Sequence, residues 1–126
     1  MDNGFNVKIS ESSREFNARE RVAMKDYTDA IKLDSVIKDD NDRITLTPAD
    51  WAVLAVHNPK AERPDYNIYI LVDKDGNKYY TSSLAFWASF MDIYTEMDGE
   101  QFSINVFKCE SKNYKGKYFI TCSIVW

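Results

Sequence analysis

The chain has 126 residues, 44% of them hydrophobic and 14% aromatic, with a formal net charge of −4. That composition suits one globular domain spanning 1–126 around a single core, and it excludes both a disordered chain and a strongly basic nucleic-acid binder of the general kind. No apolar run approaches the roughly 18–20 residues a membrane-spanning helix needs, so no membrane partner is expected.

Residues 1–16 are polar apart from Phe5, Val7, Ile9 and Phe16, which reads as a loose arm or a short strand. The segment has no basic stretch leading into an apolar one, so a secretory leader is not expected and a cytoplasmic location is. At "NARERVAMKDYTDAIKL" the spacing predicts a helix: Asn17 caps it, Glu20 three residues on completes a capping box, and Val22, Ala23, Tyr27, Ala30 and Ile31 recur at helical intervals. Residues 34–43 are acidic and turn-like, with "DDND" as their tip.

The pattern then changes to period two. "RITLT" (43–47) and "WAVLAVHN" (51–58) read as strands, with Pro48 able to start a turn of helix between them, and "PKAERPD" is a loop. "YNIYILVD" (66–73) and "NKYYTS" (77–82) flank Asp75-Gly76, a hairpin signal. "SLAFWASFMDIYTEM" (83–97) follows a serine cap and carries apolar residues on two stripes, so it is a helix packed on more than one side and ended by Gly99. "QFSINVFK" (101–108) and "KYFITCSIVW" (117–126) are the last two strands, joined by a loop of lysine, tyrosine and glycine. The expected fold is therefore mainly β. It is a five-stranded, OB-like antiparallel barrel with an N-terminal helix and a buried helix between strands three and four.

Little in the chain supports catalysis. The single histidine, His57, ends a strand and reads as a hydrogen-bonded structural residue. No His/Cys ligand spacing appears, the glycines are scattered singly, and "DKDGN" lacks the glutamate of a calcium loop, so neither a metal nor a cofactor nor an enzymatic activity is expected. Antiparallel pairing of the last two strands sets Cys122 opposite a residue near position 104, away from Cys109, so two buried free thiols are expected in place of a disulfide.

Charge is distributed less evenly than its sum suggests. Lys108, Lys112, Lys115 and Lys117 against Glu110 give the segment from 108 onward +3, and the rest of the chain carries −7. Alternation puts Phe107 among Ser103 and Asn105, and Phe119 among Thr121 and Ser123. A sheet face of that composition is a candidate base-stacking platform, with Tyr69 and Tyr80 as further candidates. Each of these aromatics has a competing place in the core, and the lysine loop has a competing reading as a solvated hairpin tip.

"NARERVAMKDYTDAIKLD", "YYTSSLAFWASFMDIYTEM" and "SKNYKGKYFITCSIV" together resemble small single-stranded DNA-binding proteins of phages and mobile elements of Gram-positive bacteria. The resemblance implies an OB-type fold, no enzymatic activity, and sequence-independent coating of single strands during replication or recombination in the host cytoplasm. It places Lys112, Tyr114, Lys115 and Lys117 on the DNA, with Lys108 and the sheet aromatics beside them. The chain departs from bacterial single-strand-binding proteins by ending "SIVW" where they carry an acidic tail. Either a host or phage replication protein is recruited by another surface, such as the acidic 34–42 segment, or the protein does not recruit at all, and the terminal Trp126 suggests a packed end, as against the second subunit of a homodimer. A second class stays open: a protein-interaction factor, such as a phage-encoded inhibitor of a host protein, whose acidic surface mimics nucleic acid.

Overall fold

The computed structural model describes residues 5–38 and 42–126. Residues 39–41, most of the "DDND" tip, lie outside them. The first strand, β1 (Asn6–Ser12), pairs antiparallel with a long strand further on, so residues 6–12 of the N-terminal segment are strand. Helix α1 (Ala18–Lys25) starts as its sequence dictates: Asn17 accepts from the Glu20 backbone N–H at 2.9 Å, and the Glu20 carboxylate accepts from the Asn17 N–H at 2.9 Å.

The helix ends earlier than its spacing predicts. Asp26 Oδ1 accepts from both the backbone N–H (3.2 Å) and the hydroxyl (2.7 Å) of Thr28, a local turn that competes with helical hydrogen bonding. The Lys78 ammonium donates to the carbonyls of Ala23 and Asp26, closing the helix end from outside. The buried stripe differs accordingly: α1 buries Met24, while Val22 is 70% exposed. Beyond it, the two-residue β2 (Ile31–Lys32) and the single-turn α2 (Leu33–Val36) replace the rest of the expected helix and part of the expected acidic turn.

Strands β3 (Arg43–Leu46) and β4 (Pro48–His57) are one run of chain bent at Thr47, where it crosses from one sheet to another. Pro48, with no N–H to give to a ladder, sits at the first position of β4. β5 (Asp65–Asp73) and β6 (Lys78–Thr81) form the expected hairpin. Its turn is held by the buried Asp73, whose Oδ1 accepts from the N–H groups of Asp75 and Asn77 at 2.9 Å each, with Gly76 at φ 88°. Helix α3 (Leu84–Met97) is capped by Ser83 and followed by Asp98 and Gly99, both at positive φ. β7 (Ile104–Glu110) and β8 (Tyr118–Ile124) close the chain.

The protein is mainly β, as expected. In place of one closed five-stranded barrel, its strands form two open sheets, β1-β4-β5-β6-β2 and β3-β7-β8. The edges that would have to meet to close a barrel are both taken. β6 pairs in parallel with β2, and β8 lies along α3, bridged by the Ser89 and Thr121 hydroxyls at 2.9 Å.

Helix α3 fills the space between the sheets. Phe86, Trp87 and Phe90 meet Trp51, Val53, Tyr69 and Leu71 of the larger sheet and Ile104, Val106, Ile120 and Cys122 of the smaller one. Trp87 stacks on Tyr69 (4.8 Å, 13°) and meets Trp51 edge-on (5.6 Å, 75°). A second core on the far side of the larger sheet joins Ala52, Leu54, Val56, Ile68 and Ile70 to Phe16 and Met24.

Phe90→Ala is expected to lower stability by about 3–5 kcal/mol, because it empties a fully buried site in the central core, as read by urea denaturation. A second expectation concerns acid. Hydrogen bonds from Arg14, then from the Asn17 N–H, hold the Glu20 carboxyl down at about 2. Its folded value lies below its unfolded one, so its contribution is present above the usual glutamate range and is lost as pH falls through about 2. Glu20→Gln should lower Tm at neutral pH, and the difference from wild type should close in strong acid.

Candidate nucleic-acid interface

The outer face of the β3-β7-β8 sheet follows from register alone. Arg43 pairs with Phe107 and Phe107 with Thr121, so these three form one row across the sheet. Thr45, Asn105 and Ser123 form the next row, and Cys109 with Phe119 forms the row on the hairpin side. The inward residues between them, Leu46, Ile104, Val106, Ile120 and Cys122, are buried. Phe119 remains 39% exposed and Phe107 half-buried, among small polar side chains. Thr45 donates to Asn105 Oδ1 at 2.7 Å, and the Arg43 guanidinium carbon lies 4.9 Å from the Phe107 ring centroid.

The hairpin loop borders the aromatic end of this face. Ser111 N–H donates to the Lys117 carbonyl (2.8 Å) and Lys117 N–H to that of Tyr114 (3.2 Å). Gly116, at φ 82°, adopts a conformation that favours glycine, and its N–H reaches the Glu110 carboxylate at 3.0 Å. The one acid of the segment is thereby held against the backbone. Lys112, Tyr114, Lys115 and Lys117 are left exposed together, with Tyr114 64% exposed and the Lys117 ammonium 5.5 Å above its ring.

Three of the expected site residues are corrected. Tyr69 is 6% exposed and stacked against Trp87 in the central core, so it offers no ring to a base. Tyr80 packs on Tyr27 (5.3 Å) in the second core, under the N-terminal segment and on a different sheet from Phe107. Lys108 alternates to the inner side of β7, and its ammonium donates to the Lys38 carbonyl at 3.3 Å, bracing that segment. Trp126 is fully exposed in the single chain.

The structure therefore brings together Phe107, Phe119, Lys112, Tyr114, Lys115 and Lys117. It adds two residues that sequence reasoning missed. Tyr118 shares a side of β8 with the buried Ile120 and Cys122, yet at the first position of the strand it is exposed. Arg43 sits 64 positions before Phe107 in the chain and joins it only through strand pairing.

Two further segments meet beside Tyr69 on the larger sheet. Helix α3 runs from beside Tyr69 to Tyr94, which abuts Trp51 and Phe90, and its Ser89 hydroxyl meets that of Thr121 in β8. The β4–β5 loop (58–64) is the other segment. Its Ala61 and Arg63 border a cavity of about 490 Å³, and a first cavity of about 420 Å³, which holds Lys8, shares Asp65, Tyr66 and Asn67 with it. His57, in the first cavity, is hydrogen-bonded through Nδ1 to Asp65 Oδ1 at 2.7 Å, a structural pairing across the two strands. Among the described residues no group of three His, Cys, Asp or Glu side chains is placed to hold a metal ion, and no helix is long and apolar enough to cross a membrane.

The two thiols are free but not alike. Burial pushes Cys122 up to about 12, whereas Cys109 stands exposed on the outer face opposite Phe119, which corrects the expectation of two buried thiols. Comparison with known proteins gives no match: no family model, no curated protein and no solved structure is similar enough to this chain to count.

A thiol reagent should label Cys109 rapidly in the folded protein and Cys122 only on unfolding, as read by the stoichiometry of release with and without denaturant.

Proposed function

We propose that the protein binds single-stranded DNA without sequence preference, through the outer face of β7-β8 and the lysine hairpin beside it. The observation that carries this reading is the grouping, at one end of one sheet, of the exposed Phe119 and half-buried Phe107 rings with three exposed loop lysines and Tyr114. Stacking on an aromatic ring contributes on the order of 1–3 kcal/mol per base and accepts any base, because every base has a flat face. Phosphate contacts add a term that weakens with salt.

Connectivity supports an OB-type reading of the fold, opened between its third and fifth strands. The bent β3/β4 run serves as the first strand, followed by β5, β6, α3, β7 and β8. OB folds bind oligonucleotides on the face of strands two and three, between the loops after strands one and four. Here the corresponding outer face of β5 and β6 is covered by Phe16, Met24 and Tyr27, which leaves the loops at 58–64 and 111–117 and the neighbouring outer face of β7-β8. Phe119, Phe107 and Tyr114 lie there.

The test is a low-salt gel shift with single-stranded DNA, duplex DNA and RNA of equal length. Single strands should be retained and duplex should not, since a paired base cannot lie on a ring. Replacing Lys112, Lys115 and Lys117 together by Ala should weaken binding and reduce the salt slope by up to about 2, at roughly 0.7 per phosphate contact. Binding unchanged in the triple variant removes the hairpin from the site. A protein that retains none of the three nucleic acids, yet captures one host protein stoichiometrically, favours the acidic interaction factor instead.

A further inference from the structure

We propose that Arg43 is a stacking residue of this site, and that a single strand crosses the sheet from β8 to β3 with a flat group on each strand beneath it. This rests on the single-strand reading above and extends it to a residue that lies in the net-acidic part of the chain.

Three observations converge. Arg43 and Phe107 are direct cross-strand partners on the outer face, and the guanidinium carbon lies 4.9 Å from the ring centroid, so the cation is held against the ring. Phe119 is paired with Cys109, two residues from Phe107, which makes the two rings diagonal neighbours on adjacent strands. The series Phe119, Phe107, Arg43 thus steps once per strand across β8, β7 and β3, at about 5 Å per strand. Finally, the lysine loop continues from the β8 end of this line, so phosphates meet ammonium groups where the strand enters.

A guanidinium suits the far end of such a line for a reason of shape. It is planar and delocalised, so a ring can lie against one face while a base lies against the other, and its N–H edge remains free to donate to a phosphate or to a base oxygen. A lysine in the same place keeps the charge but has no plane. The polar row beyond, Thr45, Asn105 and Ser123, offers hydroxyl and amide groups in place of rings, which limits the stacking line to the hairpin half of the face.

The contrast between charge and plane gives the experiment. Affinity for a single-stranded oligonucleotide and its salt slope are measured for wild type, Arg43→Lys, Arg43→Ala, Phe107→Leu and the Arg43→Lys/Phe107→Leu pair, with folding of each checked by thermal melting. Arg43→Lys should weaken binding roughly three- to thirtyfold while leaving the salt slope unchanged, and the paired variant should lose little more than either single change. An Arg43→Lys protein that binds within twofold of wild type overturns the stacking role, and fully additive losses overturn the shared stack with Phe107. Wild-type protein that binds no oligonucleotide overturns the single-strand reading itself, a result distinct from both.

Discussion

Everything in this molecule depends on an aromatic helix lodged between two sheets that never join. Without α3, the inner faces of β4-β5 and β7-β8 would confront each other across a gap their own side chains do not fill. With it, Phe86, Trp87 and Phe90 share one core with residues of both, and Trp87 lies flat on Tyr69 while meeting Trp51 at its edge. Offset and edge-on ring contacts are favoured over face-to-face ones, so the helix is held in orientation as well as in place. The same insertion fixes what is left outside. Each inward residue of β7 and β8 committed to the helix sends its neighbour outward, and the exposed rings are the complement of that commitment.

Local chemistry in the sequence was legible where one short stretch carried its own signal. Asn17 with Glu20, Ser83, Asp75-Gly76 and Gly99 each marked an element boundary that the structure respects, because a cap or a turn is decided by residues in direct contact. The reading failed where partners from far along the chain intervene. Val22 and Ile31 kept helical spacing, yet Asp26 and Thr28 formed a turn between them, and Lys78, more than fifty positions away, sealed the helix end. The barrel was expected from element order, but order does not reveal that β2 claims the free edge of β6.

The candidate site shows the same division. Alternation correctly set Phe107 and Phe119 apart from the core, since period two is a local property of each strand. It could not tell the two sides of the larger sheet apart, because both are buried: Tyr69 went to one core and Tyr80 to the other. A sheet covered on both faces removes the polar half of the pattern that such reasoning relies on. Arg43 was invisible for a different reason, since its membership depends on a ladder between distant strands.

That ladder has a kinetic consequence. β4, β5 and β6 follow one another with short connections, so their pairing closes small loops. β3 instead waits for β7, with Thr45 bonding Asn105 across 60 positions of chain. Contacts between remote segments are slow to form, because closing the intervening length costs entropy before the pairing returns any of it. The exposed face is thus among the last surfaces to exist as the chain folds, assembled only after α3 has turned the polypeptide back on itself. A nascent chain that has built its meander but not yet its final strand holds a largely formed core and no platform.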